Sequence, residues 1–219
     1  MWELLTSVVL RGAEAPAADW FRGSLAAGGL AGTTARFRAA FAGAGRRLGG
    51  SMPDLSPDEM ARLREAGLVA PERWPIDQFA RAALLLRAME TLPADRHAGF
   101  AREVYLRGDY REQAAVLQAL MLLPDAGRFA AMAVDACRTN VRDVFEAIAC
   151  ENRYPAAHFA DANFNQLVLK AFFIGVPVAR IAGLEDRKTA ELRRMAADYA
   201  SERRAAARSV PADLDLVLS

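Results

Sequence analysis

The sequence predicts an all-α protein, and three observations support this prediction. Apolar residues recur with helical spacing from end to end of the 219 residues, whereas segments rich in Val, Ile and Thr with a period of two are nearly absent. Hydrophobic residues make up 53% of the chain, and alanine, the best helix former, supplies many of them. Leu92-Pro93 and Leu123-Pro124 each separate one helix from the next. These turns indicate stacked antiparallel helical hairpins, as in HEAT or armadillo arrays, or a single irregular helical bundle.

The chain is predicted to contain three regions. Residues 1–50 form an N-terminal helical region with two or three helices rich in Ala and Gly. The segment Gly49–Pro57, GGSMPDLSP, is the predicted linker because Gly, Ser and Pro cluster there. Residues 51–210 form the main helical domain, and residues 211–219 form a loose tail.

The first 17 residues, MWELLTSVVLRGAEAPA, have a weak similarity to a signal peptide. Their first charged residue is Glu3 rather than a cation, and Thr6 and Ser7 interrupt the apolar run. We therefore interpret the segment as a helix of the mature protein.

The main helical domain starts with a strong helix signal. Ser56 is a predicted N-cap, Pro57 occupies the first helical position and Glu59 completes a capping box. Asn140 is a predicted N-cap for a later helix. The helices predicted from apolar spacing and turn residues lie at 57–67, 75–90, a segment ending at 107, 111–122, 127–138, 141–150, 163–174 and 189–208.

Composition and charge exclude several classes of function. The net charge is +1, so the chain has no overall electrostatic attraction to nucleic acid or to an anionic membrane. Two cysteines and two histidines are too few for a disulfide framework or a His-rich metal centre, and the sequence indicates no particular cofactor. No segment reaches the roughly 18 uninterrupted apolar residues of a membrane span, so we expect a soluble, cytoplasmic protein.

The predicted helix 163–174 carries a lysine inside an apolar run, LVLKAFF. Only two of the 28 basic residues are lysines, Lys170 and Lys188, so a lysine here is unusual for this chain. The helix is apolar nearly all round and is therefore predicted to be buried. Between its apolar faces runs a stripe of Asn163, Gln166 and Lys170, which must find partners because unpaired polar groups are costly to bury.

Polar side chains before this helix are candidate partners for the stripe. Antiparallel packing of the two helices would bring Glu146, Asn152 or His158 close to Lys170. One interpretation is a buried ion pair between Glu146 and Lys170. The other is a small polar pocket in which Lys170 binds an anion or a carbonyl group, or acts as a base or Schiff-base nucleophile. A primary amine performs these reactions and a guanidinium does not, which would explain a lysine at this position.

These interpretations lead to a set of candidate residues but to no assigned catalytic residue. Asn152 is also predicted to hydrogen-bond the local backbone, because asparagine does so where a helix has ended. An enzyme built around Lys170 and His158 is one alternative, and a helical scaffold with no small-molecule site is another. The predicted ligand-binding residues are Lys170, Gln166, Asn165, Asn152, Glu146, His158 and Tyr154.

Several linked motifs resemble the EboA family. The matching residues, in four groups along the chain, are Phe145, Glu146 and Ala147; Asn152, Tyr154 and Pro155; Asn165, Gln166, Lys170 and Phe173; and Asp198, Tyr199, Glu202 and Arg203. Two positions depart from the family pattern: Arg153 stands where the family has a proline, and Phe164 stands where it has a tryptophan. The resemblance is strong from about Ser56 to Ala207 and faint before that.

The resemblance implies a context rather than a reaction. The ebo cluster is associated with making or exporting a small secondary-metabolite precursor. Its other members resemble a UbiA-type prenyltransferase and a TatD-like hydrolase, among other enzymes. The resemblance therefore implies an accessory protein that binds a small-molecule intermediate or a partner enzyme of that pathway.

Overall fold

A computed structural model describes residues 1–28 and 34–219 of the chain. Within those residues the structure contains α-helices and short 3₁₀ turns and no β-strand, so the predicted all-α class is confirmed. The chain divides into two compact units, residues 1–129 and 130–219. The repeat-like arrangement and the predicted region boundaries near residues 50 and 210 stay predictions.

The first unit is built around one central helix. Its α-helices are α1 Trp2–Gly12, α2 Ala15–Gly28, α3 Thr34–Leu48, α4 Pro57–Glu65, α5 Ile76–Thr91, α6 His97–Arg107 and α7 Tyr110–Ala119. Helix α5 packs against α1, α2, α3 and α7, and it is buried along nearly its whole length, including Phe79, Ala82 and Leu86. Its buried polar side chains are hydrogen-bonded, Gln78 to the Ala115 carbonyl and Arg81 to the Phe41 carbonyl, so α5 can occupy the centre of the bundle.

The predicted capping box at the start of α4 is present. The Ser56 hydroxyl accepts a hydrogen bond from the Glu59 N–H at 3.2 Å, and the Glu59 carboxylate accepts one from the Ser56 N–H at 2.9 Å. The same carboxylate also receives both terminal nitrogens of Arg11 on α1, at 2.9 and 2.8 Å. The cap therefore also ties α4 to α1.

The second unit contains the helix with the unusual lysine. Its α-helices are α8 Ala130–Ala136, α9 Arg142–Ala149, α10 Tyr154–His158, α11 Asp161–Ile174, α12 Ala190–Ala205 and α13 Asp215–Leu218. Helix α10 is not among the helices predicted from the sequence. Pro155 stands in its first turn, where a missing N–H removes no helical hydrogen bond.

Two local predictions in this unit are wrong. Asn140 does not cap α9, because Val141 is the N-cap residue and the Thr139 hydroxyl accepts its N–H at 3.1 Å. The last residues are not loose: Leu214 and Val217 are buried, in a 3₁₀ turn and in α13 respectively. Burial of these two apolar side chains stabilises the packing of the tail against its unit.

Candidate functional site

Helix α11 has one buried face and one face open to solvent, which corrects the prediction that it is buried all round. The predicted apolar face is buried as expected: Phe164, Leu167, Val168, Ala171 and Phe172. On the opposite side Phe173 is 77% exposed, and Gln166 is exposed as well. The polar stripe therefore lies along the border of the solvent-facing side.

Lys170 lies half-buried on this border, and its amine is held by backbone. Nζ donates hydrogen bonds to the carbonyl oxygens of Cys137 and Thr139, both at 2.6 Å, and lies 5.3 Å from the centre of the Phe145 ring. Cys137 and Thr139 belong to the turn that follows α8, where carbonyl groups have no helical partner. A cation is favourable at this end of a helix. The predicted ion pair between Lys170 and Glu146 is therefore wrong.

Burial shifts the pKa values of two titratable groups here, the Lys170 amine and the Cys137 thiol. It lowers the pKa of the Lys170 amine below the ordinary lysine value. It raises the pKa of the Cys137 thiol to about 12, and the sulfur donates to the Ala133 carbonyl at 3.3 Å. The thiol is therefore protonated at neutral pH and is a poor nucleophile.

A pocket of about 330 Å³ opens beside Lys170, and we call it the Lys170 pocket. Its lining residues are Val134, Cys137, Arg138, Phe159, Asn163, Gln166, Leu167 and Lys170. They provide two cations, two amides and an apolar wall, and none of these described lining residues carries a carboxylate. An ammonium has three donors, so the two carbonyls leave one Nζ–H for a further acceptor. The pocket is suited to a small molecule with an anionic or carbonyl oxygen.

Glu146 lies in an ion-pair network rather than at this pocket. Its carboxylate pairs with Arg142 at 2.6 Å and with Arg180 at 2.5 Å, and Arg180 also binds both oxygens of Glu151 at 3.0 and 2.9 Å. Burial alone would raise the pKa of Glu146, but the hydrogen bonds from Arg180 and Arg142 outweigh it, so the pKa is lowered. Glu146 is therefore a charged structural group.

Asn152 supports the loop between α9 and α10, as predicted. Its side chain is buried, Nδ2 donates to the Ala147 carbonyl at 2.9 Å, and Oδ1 accepts the Tyr154 N–H at 2.9 Å. The preceding residue, Glu151, has a φ of 47°. A non-glycine residue in this left-handed region needs support from its neighbours, and the Asn152 hydrogen bonds provide it.

Tyr154 and His158 lie together on α10. Tyr154 is fully buried, burial raises the pKa of its hydroxyl, and its ring centre lies 4.7 Å from that of His158. Neither residue lines the Lys170 pocket, although the next residue, Phe159, does. The structure thus brings Lys170 and Gln166 together at the pocket and places the other five predicted residues elsewhere.

The family comparison covers nearly the whole chain. The family model described as "Metabolite traffic protein EboA" matches residues 1–218. The chain belongs to the EboA family. The match extends the resemblance over the N-terminal region, where the motifs were faint. Searches of curated proteins and of solved structures each return no significant match.

One motif residue of this EboA chain, Asn165, has an unexpected environment. It is 2% exposed on the buried side of α11, and its Oδ1 has no hydrogen-bond partner among the described residues. An unsatisfied buried oxygen destabilises a protein by about 1–3 kcal/mol. Asn165 is not among the residues that line the Lys170 pocket, and its amide oxygen does not stabilise the core.

Sequence reasoning missed the residues that α8 and its following turn bring to the pocket in this EboA chain. Val134, Cys137 and Arg138 lie more than 30 residues before Lys170. The predicted partners of Lys170 lie closer in the chain, between Glu146 and His158. One signal was present: the turn CRTN has no glycine to close the C-terminus of α8. Such an end needs a donor from elsewhere, and a lysine is a common one.

A second groove lies in the first unit of the EboA chain, with a volume of about 540 Å³. It is lined by Ala35, Arg38, Ala39, Phe41, Ala42, Val104, Arg107, Gly108, Asp109 and Glu112. Burial raises the pKa of Glu112 there, and Asp109 adds to the effect. Charges of both signs line this groove, so it does not select an anion as clearly as the Lys170 pocket does.

Two negative findings apply to residues 1–28 and 34–219 of this EboA chain. No helix in this part is long and apolar enough to cross a membrane. No group of three or more His, Cys, Asp or Glu side chains in the same residues is arranged to hold a metal ion.

Proposed function

We propose that this EboA-family protein binds a small anionic intermediate of an ebo-type pathway in the Lys170 pocket. It would act as a cytoplasmic accessory protein while a secondary-metabolite precursor is made or exported. The observation that carries the proposal is the Lys170 amine. It lines a pocket with a second cation, Arg138, and has one N–H left beyond its two carbonyl partners.

Size and charge both favour a small metabolite. A volume of about 330 Å³ lies at the lower end of the range for ligand pockets, which is about 300–1,000 Å³. The Asn163 and Gln166 amides add neutral hydrogen-bonding groups beside the cation. The lining residues carry no carboxylate, and the Asp135 carboxylate next to the pocket pairs with Arg138 at 3.6 Å, so the charges on the pocket wall itself favour an anion at Lys170. The family description, metabolite traffic, agrees with a binding role.

Binding is favoured over catalysis by the position of the acid and base groups. The His158 ring packs against Tyr154 at a tilt of 45°, Glu146 pairs with two arginines, and neither residue lines the pocket. A general acid or base must reach the reacting atom within hydrogen-bond distance. The Lys170 amine itself donates to two carbonyls and would have to leave them to attack a carbonyl carbon.

One observation favours a second candidate function, a Schiff-base enzyme. The lowered pKa of Lys170 increases the neutral fraction of its amine. Nζ would add to a carbonyl carbon of the ligand and release water to give the imine. The protein would be incubated with metabolites extracted from the pathway host and then treated with borohydride. Borohydride reduces the imine to a stable amine, which mass spectrometry detects as an adduct on Lys170. An adduct found on Lys170 and absent from Lys170→Met would favour the enzyme.

The binding proposal is tested by identifying what the protein retains when purified from its native host. Wild type, Lys170→Met and Lys170→Arg are compared, with Lys188→Met as the matched control. Lys188 is the other lysine of the chain, pairs with Glu185 at 2.6 Å and does not line the pocket. We expect mass spectrometry to find an acidic small molecule with wild type and Lys188→Met.

The same compound should be lost from both Lys170 variants, and pathway output in the host should fall with them. Circular dichroism shows whether each variant folds. A folded Lys170→Arg protein that retains the compound and full pathway output would refute the proposal. Co-purification of a UbiA-like prenyltransferase or a TatD-like hydrolase, with no small molecule, would instead indicate that the chain binds a partner enzyme.

A further inference from the structure

Phe173 on α11 is an aromatic residue whose side chain is exposed to solvent and does not pack in the core. It is 77% exposed, whereas the two other phenylalanines of the helix, Phe164 and Phe172, are buried. Leaving a side chain of this size in water forgoes the stabilisation that burial gives. A single exposed apolar residue is common on protein surfaces and does not by itself indicate a function. The position of Phe173 relative to the Lys170 pocket is therefore the informative observation.

Phe173 lies next to the Lys170 pocket along the helix. Gln166, Lys170 and Phe173 are spaced i, i+4 and i+7, and residues three or four apart on a helix surface have Cβ atoms about 5–6 Å apart. Long side chains on a helix lean toward its N-terminus. The Phe173 ring therefore leans toward the turn that carries Lys170.

The loop that supplies the carbonyl partners of Lys170 carries another exposed apolar residue. Val141 is 44% exposed and lies two residues after Thr139, whose carbonyl accepts a hydrogen bond from Lys170. The exposed surface beside the cation therefore includes one large apolar side chain on the helix, Phe173, and one on the loop, Val141. Arg138 also lines the pocket; its side chain is 79% exposed and pairs with Asp135 at 3.6 Å.

We propose that the ligand of the Lys170 pocket is an amphipathic anion. Its acidic group binds Lys170 inside the pocket, and its alkyl or aryl portion extends out of the pocket over Phe173. This inference rests on the proposed function. It adds the class of ligand, because charge complementarity fixes the acidic end at Lys170 and the adjacent exposed ring accounts for the apolar end.

The test uses a series of straight-chain carboxylates, butyrate, hexanoate and octanoate, with octanol as the uncharged control. Dissociation constants are measured by NMR titration for wild type, Phe173→Ala and Phe173→Leu. Leu106→Ala is the matched control, because Leu106 is another large apolar residue, 56% exposed, in the first unit. We expect each methylene that reaches Phe173 to tighten wild-type binding by about two- to fourfold.

Phe173→Ala should remove this dependence on chain length and leave butyrate unchanged, whereas Phe173→Leu should restore most of it. Leu106→Ala should behave as wild type. Lys170→Met should weaken the binding of every carboxylate in the series. Lys170→Arg replaces Lys170→Met in this test if Lys170→Met does not fold. Octanol should bind at least tenfold more weakly than octanoate.

Different negative results refute different proposals. If Lys170 variants weaken every carboxylate but Phe173→Ala keeps the wild-type dependence on chain length, the amphipathic ligand is refuted and the proposed function stands. If Lys170 variants leave the series unchanged, the proposed function itself is refuted. A different result would assign Phe173 to a membrane surface and refute the inference. Wild type would sediment with phosphatidylglycerol vesicles, Phe173→Ala would not, and the dissociation constants of the carboxylates would not depend on chain length.

Discussion

Arg180 joins three segments of the second unit, and its removal is the sharpest test of the ion-pair network. Arg180→Leu deletes one hydrogen bond to Glu146, at 2.5 Å, and two to Glu151, at 3.0 and 2.9 Å. Glu146 keeps Arg142, but Glu151 loses both of its side-chain contacts with Arg180. The side chains of Arg180, Glu146 and Glu151 are 36%, 23% and 24% exposed, so water reaches the carboxylates only in part.

The expected effect lies between two limits. Breaking a fully buried pair destabilises a protein by about 3–5 kcal/mol, whereas an exposed pair contributes about 0–1 kcal/mol. Because Arg180 is about one third exposed, solvent screening reduces the larger figure, and we expect the free energy of unfolding to fall by about 2 kcal/mol. Adding Glu151→Gln should recover part of this loss, because the second change removes a partly buried charge that has lost its two hydrogen bonds from Arg180.

Urea denaturation at neutral pH, followed by circular dichroism, measures the change. Arg194→Leu is the matched control: Arg194 also pairs with two acids, Glu191 at 2.6 Å and Asp198 at 2.7 Å, but all three side chains are at least 56% exposed. We expect no measurable change for this variant. If Arg180→Leu unfolds at the same urea concentration as Arg194→Leu, the partial burial of the network has no energetic consequence and the reasoning is wrong.

Three further predictions follow from single side chains. Glu59→Gln should make the stability of the protein less dependent on acid pH. The hydrogen bonds from Arg11 hold the pKa of Glu59 below its usual value. The stabilisation from the Glu59 carboxylate is therefore present above the unfolded pKa of about 4.3 and is lost as the pH falls through the folded pKa. Thermal melts between neutral and acid pH would show it, and a variant with the wild-type acid profile would contradict it. Asn152→Ala should lower the free energy of unfolding by about 1–3 kcal/mol, since the Ala147 carbonyl loses its donor; an unchanged urea midpoint would exclude the loop-supporting role. Asn165→Leu should be neutral or raise the melting temperature, because it removes an unsatisfied buried oxygen, and clear destabilisation would show that the amide has a partner.

Local features of the fold were predictable because their signals lie within a few residues of each other. The capping box at Ser56 and the backbone hydrogen bonds of Asn152 depend on groups only a few residues away. The buried face of α11 also follows from helical spacing alone. Each of these can be inferred without knowing which helices are neighbours.

The partners of charged groups could not be predicted in the same way. Lys170 binds carbonyls 31 and 33 residues earlier in the chain, and Glu146 binds Arg180, 34 residues later. Many arginines could pair with Glu146, and periodicity does not choose among them. Helical spacing also did not predict the exposure of Phe173, because Phe173 lies on the wheel between the polar stripe and the apolar Leu169. Nothing in the local sequence indicates which of these two sides meets water.

The carbonyl partners of Lys170 have a consequence for the strength of binding. A free lysine side chain loses roughly 2 kcal/mol of rotamer entropy when it is fixed in one conformation. The Cys137 and Thr139 carbonyls already hold Lys170 at 2.6 Å, so this loss occurs when the chain folds and not when a ligand arrives. The amine is thus preorganised, and a weakly charged acceptor is sufficient to use its remaining N–H. A ligand that accepts this N–H therefore binds without the entropic cost of ordering the lysine side chain.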